Sequence, residues 1–310
     1  MYKLVAIDLD GTLLNSYGEV STGTKEEIKK AIANGVEVVL ASGRPIKSVE
    51  DLANDLTANH YLISGNGAIV YDMYKQEIVY DKFLNKKQVL NIIKICEENS
   101  IYYNIYTEHE VLTKTLNYNT LFYHSENTHK QEEKRTSINI LTDVYDYVEK
   151  SENNRYLKIT ICDQSRIVFN SIIKKIKTIS GIDVLDVEHM SKKVIKSGTD
   201  EVPVEYCYTE ITNENVNKWN AIEYIMKELN ISKEEVIAIG DNINDKEMIE
   251  NAGLGVAMGN STRCYKRNSE YRSWNKQSRR CKRSFRKIRQ QITQNYIFIT
   301  KFYNLNYIFW

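Results

Sequence analysis

LVAIDLDGTL, residues 4–13, is the most informative stretch of this sequence. It opens with apolar strand formers, Leu4–Ile7, and the run stops at Asp8, as expected for a strand buried on both faces of a parallel sheet. Asp8 and Asp10 then lie beside Gly11 at the carboxyl end of this strand, the edge of an open α/β sheet where ligands bind. The stretch predicts a central strand with two carboxylates at a candidate site, although a motif this short also fits a capped turn with solvated acids.

The alternation of strand and helix continues outward from this stretch. The predicted elements are a helix over 22–34, a strand over 36–41, a helix to about 56, a strand over 60–63, a helix over 219–229 and a strand over 236–239. Strands that alternate with helices in this way are typical of a doubly wound parallel sheet of the α/β class.

The middle of the chain has a different pattern. Amphipathic helices and alternating strands are predicted at Lys86–Asn99, Tyr102–Tyr106, Tyr156–Ile161 and Val168–Ile179. Mixed elements with alternating exposure indicate an α+β domain inserted into the sheet domain. We therefore predict a discontinuous core domain, 1–83 and 211–262, with an inserted domain over 84–210.

Polar side chains follow each of the other predicted strands. Ser42 follows the second strand and Asn66 the third, whereas Asp241 and Asp245 follow the fourth and Lys218 begins the helix before it. A hydroxyl and an amide can hold oxygen anions, an ammonium can neutralise them, and carboxylates can hold Mg²⁺. These are the groups that phosphoryl transfer needs.

Four ordered motifs carry a family resemblance. They are DLDGTL at 8–13, ASGRP at 41–45, Lys218, and GDNIND at 240–245, followed by NAGLGVAMGN at 251–260. Over residues 1–262 the chain resembles the haloacid dehalogenase superfamily, and within it the Cof-like phosphatases of subclass IIB. The resemblance implies a Rossmann-like core with an α+β cap of type C2B inserted between the second and third motifs.

The resemblance also implies a role for each acid. Asp8 would attack phosphorus and become an aspartyl phosphate, which is covalent catalysis by a carboxylate. Asp10 would protonate the departing alcohol and then activate water. Mg²⁺ would be held by the Asp8 carboxylate, the Asp10 main-chain carbonyl and Asp241, with Asp245 and Asn244 at or behind these ligands.

Phosphate binding is assigned by the same resemblance. Ser42 and Lys218 would hold the transferring phosphoryl group, and Gly43, Asn66 and Asn244 would join them. The superfamily often has threonine where this chain has Ser42, and serine keeps the hydroxyl. The implied activity is a Mg²⁺-dependent phosphatase for a small phosphorylated metabolite, either a sugar phosphate or a phosphorylated cofactor.

Alternatives to this activity stay open at the level of sequence. A phosphomutase would use the same aspartyl phosphate and return the phosphoryl group to a sugar. An impaired protein whose basic tail binds nucleic acid would retain binding that weakens with salt. Arg44, in the second motif, fits a substrate contact and a surface ion pair equally well.

Residues 263–310 differ in composition from the rest of the chain. They contain eight arginines, five lysines and a single acid, a net charge of +12, whereas residues 1–262 contain 29 basic and 40 acidic residues, a net charge of −11. A nucleic-acid-binding arm, a disordered appendix and a shifted reading frame all fit this contrast. Residues 263 onward can be translated back into codons and the same bases read one nucleotide later. With permitted codon choices, the shifted reading recovers helical periodicity and acidic residues. We therefore hypothesise that residues 263–310 are a frameshifted, aberrant basic tail. Sequencing the gene across codons 258–266 tests this.

Composition excludes several other classes of protein. With 310 residues and 42% hydrophobic content, the chain is not disordered as a whole. No apolar run reaches the roughly 20 residues of a spanning helix, and Asp8 interrupts any secretory apolar region. The five cysteines show no CxxC spacing. We predict a cytoplasmic protein without a membrane partner.

Overall fold

The computed structural model of the chain describes residues 1–15, 17–58, 60–128, 131–132, 135–153, 155–185, 191–197, 200–259 and 261. These form two compact units, one comprising Met1–Asp81 with the described residues from Asn217 onward, the other Lys82–Val216. The limits predicted for the inserted domain, 84 and 210, lie inside the second unit. The basic tail at 263–310 lies outside the described residues. Within the part that is described, no helix is both long enough and apolar enough to cross a bilayer.

The first unit is built on one seven-stranded sheet with the order β14-β13-β1-β2-β3-β4-β5. Its elements are β1 (Leu4–Asp8), α1 (Thr22–Ala33), β2 (Glu37–Ala41), α2 (Ile46–Leu56), β3 (Tyr61–Ser64), β4 (Ile69–Asp72), β5 (Glu77–Asp81), α7 (Lys218–Glu228), β13 (Val236–Gly240), α8 (Lys246–Asn251) and β14 (Leu254–Ala257).

β1 lies inside this sheet, between β13 and β2, because both of its faces are apolar. All five of its residues are buried, and it pairs in parallel with β2 and β13. Val5 and Ile7 pack in a cluster with residues of α1 and α2, whereas Leu4 and Ala6 pack on the other face with residues of α7 and α8. Each large apolar side chain buried in this way contributes about 1.5–3 kcal/mol. The prediction of a doubly wound α/β core is confirmed.

The predicted parallel sheet covers β14, β13, β1, β2 and β3, and antiparallel strands extend it at one edge. β3, β4 and β5 pair antiparallel, so the sheet ends in a hairpin edge. β4 follows β3 after the single 3₁₀ turn Gly65–Gly67. A parallel connection needs a crossover of a dozen or more residues, so a turn this short allows only antiparallel pairing.

The second unit has its own sheet, with the order β10-β12-β9-β6-β7-β8 and β11 paired to β12. Its elements are α3 (Lys86–Glu98), β6 (Tyr102–Thr107), β7 (Val111–Thr113), α4 (Tyr118–Asn127), β8 (Ile138–Ile140), α5 (Val144–Lys150), β9 (Tyr156–Asp163), α6 (Arg166–Ile176), β10 (Ile182–Val184), β11 (Ser191–Ser197) and β12 (Asp200–Asn213). Apolar residues of α3, α5 and α6 pack against one face of this sheet. The unit is the α+β type that the sequence predicts.

Candidate active site

The two acids of the first motif follow β1 directly. Asp8 is the last residue of β1 and is buried, whereas the Asp10 side chain is 61% exposed. Gly11 has φ +87°, a conformation that favours glycine, and the chain turns back so that the Leu13 N–H donates to the Asp8 carbonyl at 3.2 Å. The turn therefore separates the two carboxylates into a buried one and a solvent-facing one.

Lys218 lies at the centre of the buried part of the site. Its side chain is 0% exposed, and its Nζ donates to Asp8 Oδ1 at 2.5 Å and to Asp245 Oδ1 at 2.7 Å. α7 begins at Lys218 because Asn217 caps it, with the Asn217 side chain accepting the Asn220 N–H at 2.8 Å. A buried ammonium is tolerated only when it is paired, and here two carboxylates pair with it.

Asp245 links this ammonium to the loop after β13. Its Oδ2 accepts the N–H groups of Asp241 at 2.9 Å and Asn242 at 3.0 Å. Gly240 permits the close approach, because a Cβ at that position would lie 2.5 Å from the Asp245 carboxyl group. Both oxygens of Asp245 are thus held by the protein. Its assignment as a metal ligand stays a prediction, and the visible role is to position Lys218 and the Asp241 loop.

Asp241 completes a group of three carboxylates. One oxygen each from Asp8, Asp241 and Asp245 lie within 4.8 Å of one another, and Thr12 Oγ1 donates to Asp241 Oδ1 at 3.3 Å. Burial, together with the charges of Asp8 and Asp245, raises the pKa of Asp241 to about 6. Burial also raises the pKa of Asp8, and Lys218 opposes that rise. The three acids therefore repel one another and favour the arrival of a cation.

This arrangement fits a divalent cation. Three carboxylates and one ammonium have a net charge of −2 when all are ionised, and carboxylate oxygens are the ligands that Mg²⁺ prefers. Gly11 leaves the space that Asp241 occupies, since a Cβ on residue 11 would lie within 2.3 Å of Asp241 Oδ2. The predicted contribution of the Asp10 main-chain carbonyl stays a prediction.

A second set of polar groups joins the loops after β2 and β3. Buried Ser42 accepts the Asn66 N–H at its carbonyl oxygen, at 2.9 Å, and Asn66 Oδ1 accepts Asn244 Nδ2 at 2.9 Å. Gly43 makes room for Asn66, because a Cβ there would lie 2.7 Å from Asn66 Oδ1. Asp8 pairs in register with Ala41, the residue before Ser42. The structure thus brings all of the predicted phosphate-binding residues to one rim of the sheet.

Arg44 makes an ion pair with Asp10. Its Nε donates to Asp10 Oδ2 at 2.9 Å and its Nη2 to Asp10 Oδ1 at 2.5 Å. The Arg44 carbonyl accepts the Ser64 hydroxyl at 2.7 Å, which ties the backbone of this loop to the end of β3. Of the two roles that the sequence left open for Arg44, the structure shows the ion pair. Its partner is a proposed catalytic acid rather than an incidental surface charge.

Sequence reasoning missed two residues that shape the site. Thr12 was quoted within the first motif but given no role, and its hydroxyl bonds Asp241. Asn217 was not singled out, although an asparagine directly before a predicted helix is a recognised capping signal. Contacts such as that between Thr12 and Asp241, 229 residues apart in the chain, have no local signal in the sequence.

Comparison with known proteins gives a consistent result. The model of the haloacid dehalogenase-like hydrolases matches residues 5–277. Phosphatase YwpJ of Bacillus subtilis is 29% identical over 267 residues, 84% of this chain and 90% of that protein. The 5-amino-6-(5-phospho-D-ribitylamino)uracil phosphatase YcsE of the same organism is 25% identical, over 87% and 88% respectively. The crystal structure of a haloacid dehalogenase-like hydrolase from Bacteroides thetaiotaomicron superposes with a TM-score of 0.67 at 25% identity, covering 88% of this chain and 94% of that one.

Proposed function

This chain belongs to the haloacid dehalogenase-like hydrolases and is a phosphatase, and we propose that it hydrolyses a small phosphate monoester through a phosphorylated Asp8. The observation that carries this proposal is the buried contact of Lys218 with both Asp8 and Asp245, beside Asp241. A buried lysine between carboxylates, with a further acid alongside, combines a nucleophile with a group that attracts phosphate.

Asp8 is proposed as the nucleophile because it is fixed in place. Lys218 holds Oδ1 at 2.5 Å, so the orientation of the carboxylate is set before substrate arrives and Oδ2 is the proposed attacking atom. Fixing the nucleophile in this way reduces the entropic part of the barrier. In the first step Asp8 Oδ2 forms a bond to phosphorus and the ester oxygen leaves with its electron pair.

Asp10 is proposed to handle the proton. Its carboxyl group is exposed enough to reach both a leaving alcohol and a water molecule, and Arg44 holds it in one orientation through two hydrogen bonds. Asp10 would give a proton to the leaving oxygen, and then take one from the water that hydrolyses the aspartyl phosphate. One carboxyl group can serve as acid and then as base, because the first step leaves it deprotonated and the second step returns the proton to it.

The phosphoryl oxygens need positive and hydrogen-bonding partners. We assign these to Lys218, to the Ser42 hydroxyl, to Gly43, and to the Asn66 and Asn244 amides, which lie at the same rim. Mg²⁺ held by Asp8 and Asp241 would neutralise charge on the phosphoryl group. Placing donors where charge develops is the largest catalytic effect in most such sites.

The proposed substrate is a small phosphorylated metabolite, either a sugar phosphate or a phosphorylated cofactor, in the cytoplasm. The relative YcsE is named for a phosphorylated ribityl compound, which supports a substrate of this size. The proposed reaction needs neither nucleic acid nor a membrane as a partner, because its substrate is a small molecule.

A panel of phosphorylated metabolites assayed with Mg²⁺ tests the proposal. Turnover of at least one compound is expected for the wild-type chain, and Asp8→Asn should reduce it by at least about 10³-fold, since no other nucleophile replaces Asp8. Asp55→Asn is a matched control, because Asp55 is an exposed acid paired with Lys25 at 2.5 Å on the surface. Failure of every compound with folded wild-type protein would refute the proposal.

The covalent step can be tested separately. With an aryl phosphate, whose leaving group needs no proton, Asp10→Asn should accumulate phosphorylated protein after acid quenching, because the first step can proceed while hydrolysis of the intermediate lacks its base. The phosphoryl group should map by mass spectrometry to the peptide containing Asp8. Turnover without any phosphorylated peptide in this variant would contradict the aspartyl phosphate.

A further inference from the structure

β8 is an edge strand of the sheet in the second unit, because among the described residues it has a neighbour, β7, on one side only. Both residues that flank it bond β7: the Ser137 carbonyl accepts a β7 N–H and the Leu141 N–H donates to a β7 carbonyl, each at 2.9 Å. Main-chain groups alternate in direction along a strand. The N–H and C=O groups of Ile138 and Ile140 therefore point to the open edge of the sheet.

This edge carries no charged side chain to prevent pairing with another strand. Residues 136–142, TSINILT, are all uncharged, and Ile140 is 55% exposed. The edge strand β5 of the first unit differs, since it has an acid at each end, Glu77 and Asp81. Natural proteins commonly protect an edge strand with charges, and an apolar edge without them pairs with a further strand. The open edge of β8 thus has both the hydrogen-bonding groups and the apolar surface that strand addition needs.

A groove of about 480 Å³ lies beside the carboxyl end of β8, and its lining has a net negative charge. Two acids, Asp143 and Asp146, line it together with a single base, Lys150. Lys150 Nζ already pairs with Asp146, at 2.8 Å. Asp143 is exposed and caps α5, where one of its carboxyl oxygens accepts the Asp146 N–H at 2.9 Å. The groove therefore fits a cationic side chain that reaches Asp143.

The other end of the uncharged run carries such a cation. Arg135 precedes residues 136–142, as Asp143 follows them, and Arg135 is exposed. The run thus has opposite charges at its two ends, with Asn139 at its midpoint. If two copies of the run are laid antiparallel about that midpoint, each Arg135 lies opposite the partner's Asp143. Both ends of the pairing are then held by opposite charges, which favour it.

The same axis also satisfies the main-chain groups of the open edge. About Asn139, Ile138 lies opposite the partner's Ile140, so residues with outward N–H and C=O groups face each other. Residues opposite each other in this way exchange two hydrogen bonds. Moving the axis by one residue in either direction keeps the outward groups opposed but puts Arg135 opposite an uncharged side chain. Charge therefore selects the axis at Asn139.

We propose that β8 is a dimer interface, at which β8 pairs antiparallel with β8 of a second copy of this chain about a two-fold axis at Asn139. The sheet of the second unit then continues from one copy into the other, and Ile138 and Ile140 of both copies share one of its faces. At each end of the pairing, Arg135 reaches the partner's groove beside Asp143. A two-fold axis requires a self-complementary surface, and a run with opposite charges at its ends provides one.

This interface goes beyond the proposed phosphatase function, because it uses only residues of the second unit. Sedimentation velocity of the full-length protein over a range of concentrations tests it. A dimer is expected to form at about 10–100 µM, because an interface built on one short strand from each copy belongs to the small, transient class. Ile140→Lys should weaken the dimer at least about tenfold, since a charged side chain on an edge strand opposes pairing.

A matched control is available on α6 of the same unit. Ile167 is 84% exposed, so Ile167→Lys makes the same change at another apolar surface residue and should leave the dimer unchanged. Both variants should melt at the temperature of the wild-type protein, because neither isoleucine is buried.

The charges at the ends of the run can be tested by exchange. Arg135→Glu and Asp143→Lys should each weaken the dimer about tenfold, because each puts like charges opposite each other. An equimolar mixture of the two variants should dimerise more tightly than either alone, because the mixed dimer has opposite charges at both ends. Asp143→Asn keeps the oxygen that caps α5, so the weaker dimer expected of it reports the loss of charge with the helix intact.

The proposal is overturned if the full-length protein stays monomeric at the highest concentration at which it is soluble, or if Ile140→Lys dimerises as tightly as Ile167→Lys. The second of these results would place the contact on another surface of the chain. A mixture of Arg135→Glu and Asp143→Lys that dimerises no better than the separate variants would refute the axis at Asn139.

Discussion

Replacement of Lys218 by methionine should be among the most destabilising single changes in the first unit. The Lys218 side chain is fully buried and contacts Asp8 and Asp245 at 2.5 and 2.7 Å. Methionine fills a similar volume without the charge, so two buried carboxylates lose the cation that they share. Removal of one partner from a buried ion pair costs about 3–5 kcal/mol, and the upper end applies here because two acids depend on one ammonium. The free energy of unfolding of a whole domain is about 5–15 kcal/mol, so this variant should lose a large fraction of it.

The loss should depend on pH. Lys218 opposes the rise in the pKa of Asp8 that burial causes, so removing the ammonium raises that pKa further. A carboxyl group whose pKa is higher in the folded than in the unfolded protein contributes stability at low pH and loses it as pH rises through the folded pKa. The deficit of Lys218→Met relative to wild type should therefore shrink as pH falls from 7 toward 5, because Asp8 in the variant takes up its proton at a higher pH than Asp8 in the wild type.

Equilibrium urea unfolding in EDTA measures this effect. Because the chain has two units, pulsed hydrogen exchange of peptides from β1 and β13 should follow the first unit separately. Lys25→Met is the control, since Lys25 pairs with Asp55 on the surface and should cost less than about 1 kcal/mol. In the double variant Lys218→Met/Asp245→Asn, the loss should be smaller than the sum of the single losses. A cost for Lys218→Met below about 1 kcal/mol, equal at pH 5 and pH 7, would refute the reasoning.

Three further outcomes are expected. Gly11→Ala should weaken Mg²⁺ binding at least about tenfold, because the added Cβ would lie on the Asp241 carboxylate. Gly18→Ala is the control: Gly18 also has a positive φ but open space around it, so this change should cost only backbone strain of about 1 kcal/mol. Equal Mg²⁺ affinities of the two variants by titration calorimetry would count against the site. Mg²⁺ affinity should fall about tenfold per unit as pH drops below about 6, since protons compete for Asp241; affinity that is constant or rises toward pH 5 contradicts this. Arg44→Ala should lower kcat more than it changes KM, because it releases Asp10. Arg44→Lys should not restore kcat, since lysine cannot donate two parallel hydrogen bonds to one carboxylate. Full activity in Arg44→Ala would show that Asp10 needs no support from Arg44.

The strands of the sheet were predictable where a run of apolar residues in the sequence is buried on both faces in the structure. The apolar runs at Leu4–Asp8 and Val236–Gly240 are central strands, as their sequences indicate. The edge hairpin was not predicted, because Ile69–Asp72 and Glu77–Asp81 are short runs whose pairing depends on the turn Gly65–Gly67. A strand at an edge has one neighbour, so its sequence is under weaker constraint than a central one.

The residues of the candidate site were predictable as a set, since the carboxyl ends of neighbouring parallel strands meet at one edge. Their division of labour came only from the family resemblance, which implies that Asp241 is a Mg²⁺ ligand and that Asp245 lies at or behind the ligands. Nothing in GDNIND distinguishes Asp241, which faces the other acids, from Asp245, whose oxygens are occupied by Lys218 and two backbone N–H groups. Likewise, the pairing of Arg44 with Asp10 joins loops that are 34 residues apart, and only tertiary packing can decide it.

The separation between Asp8 and Lys218, 210 residues, has a consequence for biosynthesis. β1 leaves the ribosome long before β13, its neighbour in the sheet, whereas residues 82–216 are continuous and form one compact unit whose strands pair with one another. The middle of the chain can therefore fold during translation while the N-terminal strands wait, and contacts between such distant segments form slowly. A nascent chain that stops before codon 218 would carry Asp8 without the ammonium that pairs with it, so the candidate site is completed late in synthesis.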